Sequence, residues 1–389
     1  MTDAEKTFAV PNTQSPVVDI SHPDDRQAPE AGVALCLSGG GYRAMVFHLG
    51  ALIRLNEAGF LQKLDRVSSV SGGSITAGVL GFAWSKLAFD ANGVASNFSD
   101  MVVKPVCTLA CHTIDVGSIL SGVFGPGTVA DKIAAAYRKY LFQHATLQAL
   151  PDKPRFVINA TNVQSKSLWR FSKPYMRDWR VGEVKNPSLE LAVAVGASSA
   201  FPPVLSPVEL DLKDSDYTPN SGSGLQKAPF TTQVILTDGG VYDNLGLETA
   251  WKRYDTVLVS DGGGMYGPEA DPDRDWFNHT RRVYDLIDNQ VRSLRKRQVI
   301  DSYVAKARKG TYWGIWSDIA NYNPPQALDC PYAKTATLAS TPTRLKGMDD
   351  SLQHKLMNWG YAICDAAMRK HYITNWAAPA NFPFAGGVG

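Results

Sequence analysis

The stretch that decides the fold is Arg66-Val-Ser-Ser-Val-Ser-Gly-Gly-Ser-Ile-Thr-Ala-Gly-Val-Leu80. Residues 67–70 are β-prone, and the last residues are small and apolar, as in a closely packed helix. Ser71 lies between these two parts and is followed by Gly72 and Gly73. A sharp strand-to-helix turn requires small neighbours, so these glycines are consistent with such a turn at Ser71. Such a turn carries the hydroxyl beyond the sheet and points a helix N-terminus at any anion beside it. The pattern S-x-S-x-G predicts a nucleophile elbow, with tight packing alone as the alternative.

A second stretch has three consecutive glycines directly after a predicted strand. Residues 34–38 form that strand, Gly39, Gly40 and Gly41 follow it, and the next residues predict a helix with an apolar face of period 3.6. Glycines at the end of a strand free backbone N–H groups to converge on one point, which in a hydrolase is the oxyanion of the tetrahedral intermediate. A phosphate-binding loop is disfavoured, because no Gly-Lys-Ser/Thr follows and the G-x-G-x-x-G spacing is absent.

A third stretch, Val234-Ile-Leu-Thr-Asp-Gly-Gly240, predicts a strand that delivers Asp238 onto a turn. From such a turn a carboxylate can reach across to a serine. Asp261 also follows an apolar strand and precedes glycines, so the local pattern does not choose between the two aspartates.

Together these stretches resemble the patatin-like phospholipases, which carry a glycine-rich oxyanion loop, a serine elbow and a late Asp-Gly-Gly. The matching blocks are Gly39-Gly-Gly-Tyr-Arg43, Val70-Ser-Gly-Gly-Ser74, Ala197-Ser-Ser-Ala-Phe-Pro-Pro203 and Asp238-Gly-Gly-Val-Tyr-Asp-Asn244. The resemblance covers about residues 32–260, and the ordered set is far more specific than any one block. Two positions depart from the family pattern: Ser69 and Ala44 stand where glycine is usual. Both are small residues, so the assignment holds.

The resemblance implies an α/β fold, a three-layer α/β/α patatin-like sandwich around a mainly parallel sheet with a helical C-terminal extension. The alternation of strands and helices over residues 32–87 also predicts a parallel sheet. We expect a flexible tail over residues 1–30, a catalytic domain over 31–270 and the extension, packed on that domain, over 271–389. Residues 211–229, rich in Asp, Ser, Gly and Pro, predict a disordered insert.

The resemblance further implies a serine lipid acyl hydrolase of the phospholipase A or lysophospholipase type, acting through a Ser-Asp dyad and an acyl-enzyme. Ser71 would be the nucleophile and Asp238 the base. The oxyanion site would comprise Gly39, Gly40, Gly41, Arg43 and Gly72, with Arg43 as a brace of the loop in the alternative interpretation. A histidine base, an acyltransferase using the same serine, and a non-catalytic lipid-binding or regulatory protein on the same fold are the remaining alternatives.

The composition is that of an ordinary globular protein, with 389 residues, 44% hydrophobic, 20% charged and a formal net charge of +2. This balance gives no support to nucleic-acid binding through a basic surface. Five sparse cysteines predict reduced thiols in a cytoplasm, and we expect no metal and no cofactor. The chain lacks a signal-peptide pattern and any run of eighteen apolar residues. The predicted location is cytoplasmic, with a lipid substrate and peripheral contact with a membrane.

Two segments are candidates for that membrane contact. Residues 92–127 scatter apolar side chains among glycines and serines, which suits either a lid or a loop packed on the core. Residues 280–308 predict a basic helix, whose charges either solvate an outer face or lie on an anionic membrane. Its apolar stripe should dock on the sheet and consists of Val283, Ile287, Val291 and Leu294.

Overall fold

The computed structural model describes residues 29–114, 129–265 and 267–389. Most of the predicted N-terminal tail and the apolar residues 115–128 lie outside this description. The strands are β1 (Glu30–Leu37), β2 (Arg66–Val70), β3 (Arg155–Asn162), β4 (Ser167–Ser172), β5 (Tyr175–Asp178), β6 (Gly182–Lys185), β7 (Val208–Asp211), β8 (Gln233–Asp238), β9 (Tyr254–Asp261) and β10 (Lys309–Gly314). The α-helices are α1 (Gly41–Glu57), α2 (Gly72–Ala83), α3 (Lys104–Ala110), α4 (Val129–Tyr137), α5 (Leu191–Ser198), α6 (Gly240–Asp243), α7 (Glu248–Trp251), α8 (Trp276–Val304), α9 (Tyr332–Ala339) and α10 (Asp350–His371).

The described strands form one ten-stranded sheet with a parallel centre. Strands β10, β9, β1, β2 and β3 lie side by side and parallel. From β3 the sheet continues through β4, β5 and β6 as an antiparallel meander. Strand β8 pairs antiparallel with β3, and β7 pairs with β8.

The two faces of β1 are buried against different helical layers. Leu35 and Leu37 belong to the larger core, which also contains residues of α1, α2 and α10. Ala34 and Cys36 belong to a smaller core that includes Val299 of α8. Because side chains alternate across a strand, this division places helices on both faces of the sheet. The predicted α/β/α sandwich is confirmed.

Helices α1 and α10 pack backbone to backbone through two glycines. A Cβ atom on Gly50 would lie 1.9 Å from the carbonyl oxygen of Met357. A Cβ atom on Gly360 would lie 1.9 Å from the carbonyl oxygen of Phe47. Only glycine permits so close an approach of two helix backbones. The C-terminal region therefore braces α1, the helix that begins in the glycine loop, and it also adds β10 to the sheet beside β9.

Two sequence predictions about loops have clear outcomes. The disorder predicted over residues 211–229 is wrong, because the loop closes on itself: the Gln226 side chain donates to the Thr218 carbonyl and accepts from the Gly222 N–H. Within residues 92–114, the side chains of Val106 and Leu109 are buried, so this described part packs on the core. The remainder of the candidate lid lies outside the described residues.

The orientation predicted for the basic helix is also wrong. Val283, Ile287, Val291 and Leu294, predicted to dock on the sheet, are 44%, 55%, 36% and 56% exposed. The buried residues of α8 are Arg292 and Val299. Cationic side chains on this inner face pair with carboxylates of the sheet layer, and burying those carboxylates without partners would cost more than exposing apolar atoms. No helix of the described residues has the length and apolarity needed to cross a membrane.

The glycine contact between α1 and α10 gives a stability prediction. Gly360→Ala should lower the free energy of unfolding by about 3 kcal/mol or more, because the new methyl group meets a backbone carbonyl that cannot move alone. Urea denaturation followed by circular dichroism measures the change.

The matched control for this substitution is Gly196→Ala, also within a helix. Here the nearest atoms, on Ala134, lie 4.0 Å from the added Cβ. This variant should be stabilised by up to about 1 kcal/mol, since alanine favours helix. Equal stability of the Gly360 variant and the parent would contradict the predicted backbone clash.

Candidate active site

Strand β3 brings Ser71 and Asp238 together. Val70, the last residue of β2, pairs with Asn159, and Asp238, the last residue of β8, pairs with the next residue, Ala160. Strand β4 occupies the other edge of β3 opposite both positions, so β2 and β8 share one edge and meet end to end. The carboxyl ends of the two strands therefore converge, and the residue after β2 lies at the junction with Asp238.

Ser71 has the backbone geometry of a sharp turn. Its φ of 52° and ψ of −123° are unusual for a residue other than glycine, and it directly precedes α2. A Cβ atom on Gly72 would lie 2.1 Å from the Gly41 carbonyl oxygen, and one on Gly73 would lie 2.5 Å from that of Leu37. The two glycines after the serine are thus required by the closeness of the glycine loop at Gly72 and of the end of β1 at Gly73.

The turn at the C-terminal end of α5 holds both residues. The Ser71 N–H donates to the Ser198 hydroxyl oxygen at 3.0 Å, and the Gly239 N–H donates to the Ser198 carbonyl at 3.2 Å. The Asp238 N–H donates to the carbonyl of Ala200 at 3.0 Å. This turn is the Ala197–Pro203 block of the sequence, in which nothing singled out Ser198. The Ser198 hydroxyl can accept from the Ser71 N–H only because the ends of β2 and β8 meet beside this turn, which the local sequence does not show.

Asp238 lies in an environment that favours its neutral form. Burial raises the pKa of Asp238 to about 7, whereas hydrogen bonds from the Gly240 N–H and the Ser71 hydroxyl lower it. The Gly240 N–H lies 2.6 Å from Oδ1. Oδ2 has no well-formed hydrogen bond among the described residues. We infer that the Ser71 hydroxyl lies beside this carboxyl but off the ideal hydrogen-bond geometry, as catalytic pairs without substrate often do.

Three of the five predicted oxyanion-site residues present free backbone donors. Among the described residues, the N–H groups of Gly40, Gly41 and Gly72 have no acceptor. The Gly39 N–H does not qualify, because it donates to the Asn244 carbonyl at 3.0 Å. The Arg43 guanidinium donates to the carbonyls of Gly262 and Thr341, which makes it a brace of the loop.

Asn244 connects the glycine loop to the turn that carries Asp238. A Cβ atom on Gly39 would lie 2.4 Å from Asn244 Oδ1, and one on Gly240 would lie 2.6 Å from the same atom. The asparagine side chain therefore fills the space that both glycines leave open. The sequence analysis includes Asn244 in the Asp-Gly-Gly block but assigns it no role, since the contact joins residues far apart in the chain.

His48 supports the glycine loop, and both of its ring nitrogens are occupied by hydrogen bonds to residues other than Ser71. Its Nε2–H donates to the Ser38 carbonyl at 2.9 Å, so Nδ1 accepts from the Ser260 hydroxyl at 2.8 Å. Burial lowers its pKa to about 4, which keeps the ring neutral. No histidine of the described residues forms a hydrogen bond with Ser71, and His22 lies outside them.

Asp261, the second candidate aspartate, is held as an ion. Its Oδ2 lies 2.6 Å from Lys296 Nζ and accepts a hydrogen bond from the Tyr312 hydroxyl at 2.7 Å. Its Oδ1 accepts from the Gly263 N–H at 2.9 Å. Burial alone would raise the pKa of Asp261, but the charges of Lys296 and Arg292 outweigh burial and hold it well below its usual range. A carboxylate so occupied is a poor proton acceptor.

The fold and the strand–serine–helix turn are those of an α/β protein with a hydrolase-type elbow. Residues 35–251, more than half of the chain, match the patatin-like phospholipase family. The chain belongs to that family, and this membership supports a lipid hydrolase function.

Three solved structures show how the chain aligns with larger proteins. Human GIVD cytosolic phospholipase A2 is 15% identical with a TM-score of 0.40, and the match covers 62% of this chain and 46% of that chain. The same human enzyme in complex with methyl gamma-linolenyl fluorophosphonate is 13% identical with a TM-score of 0.49, covering 89% and 58%. VipD from Legionella pneumophila is 14% identical with a TM-score of 0.33, covering 86% and 66%. The chain thus spans about half the length of the human phospholipase chains, and no curated protein matches its sequence.

The raised pKa of Asp238 predicts a pH-dependent gain in stability for Asp238→Asn. The folded protein binds a proton that the unfolded chain lacks between pH 3.8 and about 7, so the parent loses stability as pH rises through this window. Asparagine avoids that loss, so its advantage should be near zero at pH 4 and on the order of 4 kcal/mol at pH 8. Chemical denaturation at both pH values measures it.

Asp261→Asn is the contrasting variant, and it should be destabilised at pH 8 because Lys296 loses its partner. A parent that is as stable as Asp238→Asn at pH 8 would contradict the assigned environment of Asp238.

Proposed function

We propose that the protein is a serine lipid acyl hydrolase of the phospholipase A or lysophospholipase type. It cleaves acyl esters of membrane lipids through a Ser71–Asp238 dyad and an acyl-enzyme intermediate. The observation that carries this proposal is the end-to-end meeting of β2 and β8 along β3, which brings a serine on a strained turn beside a buried carboxyl. The family membership supports the substrate class, and the protein acts at a membrane surface as a peripheral enzyme.

The first step is attack of the Ser71 hydroxyl oxygen on the ester carbonyl carbon. A serine hydroxyl is a poor nucleophile until a base takes its proton, and Asp238 is the base. Burial favours this role, because a carboxylate with a pKa of about 7 accepts a proton far better than one with the ordinary value of 3.8. Oδ2, which has no well-formed partner among the described residues, is the oxygen that receives the proton.

The negative charge that develops on the carbonyl oxygen requires donors fixed in advance. The N–H groups of Gly40, Gly41 and Gly72 supply them, and Gly72 is also the first residue of α2, so the helix N-terminus adds its dipole. His48 and Arg43 contribute indirectly by fixing the carbonyls around the glycine loop.

Collapse of the intermediate breaks the bond to the leaving alcohol, which takes the proton held by Asp238. The acyl group then remains on the Ser71 oxygen. A water molecule, deprotonated by the regenerated Asp238 carboxylate, attacks this ester and releases the fatty acid. As the acyl–oxygen bond breaks, Asp238 returns this proton to the Ser71 oxygen, which restores the resting site.

Substitutions in the dyad test the proposed roles. Ser71→Ala and Asp238→Asn should each lower kcat on a soluble short-chain ester by at least about a thousandfold while the fold is retained. Asp261→Asn should keep most of the turnover per folded molecule, because its carboxylate serves the ion cluster.

The control for the reaction type is the product itself. Free acid, formed whether or not an alcohol acceptor is added, indicates hydrolysis, whereas esters of the added alcohol would indicate acyl transfer. Near-normal turnover by Ser71→Ala would refute the nucleophile assignment, and the reverse ranking of the two aspartate variants would move the base to Asp261.

The pKa of Asp238 predicts the pH profile of the parent enzyme. The base is active when ionised, so kcat/KM on the soluble ester should fall about tenfold per pH unit below a pH of about 7 and level off above it. Asp261 stays ionised over this whole range and adds no second inflection. A profile that is flat between pH 5 and pH 8 would show that no buried carboxyl of this kind limits the reaction.

A further inference from the structure

The outer side of α8 is an exposed apolar surface on a helix whose other side is polar. We call it the outward face, and its residues are Trp276, Val283, Leu286, Ile287, Val291 and Leu294. Trp276 is 81% exposed and Leu286 is 62% exposed. A single exposed leucine needs no explanation, but six large apolar residues along one side of a helix are more than scattered exposed residues.

The outward face is wider than a seam for one partner helix. At 100° per residue, Leu286 and Val291 lie on either side of the line through Val283, Ile287 and Leu294, so the apolar sector spans about 140°. A coiled-coil seam uses only two positions per heptad and is narrower. The sector extends for about 27 Å along the helix from Trp276 to Leu294. Such width suits a continuous apolar medium better than a second helix.

The charges around the outward face favour an anionic surface. Between Trp276 and Leu294 the acidic residues of this fully described helix are Asp285 and Asp288, and both lie on the other side. Beyond Leu294, Arg297 and then Asp301 follow at intervals of about one turn on the same side of the helix, and both are exposed. An apolar sector with an aromatic residue at one end and an exposed arginine at the other is the pattern of helices that lie in a membrane interface.

The inner side of α8 adjoins the candidate active site. Arg295 pairs with Asp243 at 3.6 Å and with Glu248 at 2.9 Å, and Asp243 ends α6, the short helix that follows Asp238. Helix α6 packs against α8. The charge of Asp288 also reaches Asp238, where it adds to the effect of burial. The outward face is therefore one helix thickness, about 10 Å, from the turn that carries the base.

We propose that the outward face of α8 is the surface by which the protein docks on an anionic lipid bilayer. The helix lies in the plane of the interface with its apolar side among the acyl chains, and Arg297 contacts the headgroups. Docking in this orientation brings the Ser71–Asp238 site to the lipid surface. The role of docking in catalysis rests on the proposed function, whereas docking itself does not.

The test uses the Ser71→Ala protein, so that binding is measured without hydrolysis. Co-sedimentation with vesicles of phosphatidylcholine and phosphatidylglycerol gives the partition coefficient. Ile287→Glu should lower this coefficient about tenfold or more, since an isoleucine side chain that enters the bilayer is replaced by a charge. The matched control is Asn289→Glu, which introduces the same side chain at an exposed position outside the outward face and should change binding less than threefold.

Three other outcomes would overturn the proposal. The first is unchanged binding by Ile287→Glu, or equal losses for both variants, which would exclude an apolar docking surface. The second is a parent that is a dimer in light scattering and becomes a monomer with Ile287→Glu, which would assign the outward face to a second copy of this chain. The third is absence of vesicle binding by the parent.

Turnover of a soluble ester by proteins that retain Ser71 separates this proposal from the proposed function. Ile287→Glu should keep that turnover and lose activity on vesicles. An enzyme inactive on soluble ester whose Ser71→Ala form still binds vesicles would refute the hydrolase and leave docking standing.

Discussion

The candidate site depends on one constraint of backbone pairing: two strands share a single edge of β3. Strand β2 ends opposite Asn159 of β3, and β8 ends opposite the next residue, Ala160, so the carboxyl ends of the two strands have to meet. Parallel β2 and antiparallel β8 reach that junction from opposite directions. Each chain must then turn away sharply, which explains a φ of 52° at Ser71 and a glycine on each side of the junction, Gly72 and Gly239. The closeness of Ser71 and Asp238 is a consequence of how the sheet is hydrogen-bonded.

Two aspartates with the same local sequence have opposite electrostatic environments. Asp238 and Asp261 both end apolar strands and precede glycines, and both are almost fully buried. Around Asp238 the partners are weak donors, so burial prevails and raises the pKa to about 7. Around Asp261, Lys296 and Arg292 supply full positive charges, and the pKa falls. The difference comes mainly from α8, whose inner cations lie more than thirty residues further along the chain than Asp261, and Tyr312 of β10 adds a hydrogen bond.

Much of this arrangement could be predicted from sequence, because it depends on local periodicity and on ordered motifs. The strands around Ser71 and the glycine loop follow from apolar runs and from glycine placement. The shared edge of β3 could not be predicted, since it depends on non-local pairing. The same limit explains why Gly39 was expected to offer its N–H: its acceptor, the carbonyl of Asn244, lies far along the chain. The roles of Asn244 and Ser198 could not be predicted for the same reason.

The orientation of α8 shows how magnitudes decide between two patterns in one helix. Periodicity alone predicts that the apolar stripe docks inward, which would shelter four half-exposed side chains at about 1 kcal/mol each. The opposite orientation pairs Asp243, Glu248 and Asp261 with cations, and each of these carboxylates would otherwise cost several kcal/mol to keep ionised in the interior. Arg292, Arg295 and Lys296 are placed on one side of the helix to meet them, at 3.6 Å or less for the pairs of Arg295 and Lys296. The ionic side is therefore the one that packs on the sheet layer. The apolar side is left outward beside the site, where its exposure to water costs free energy.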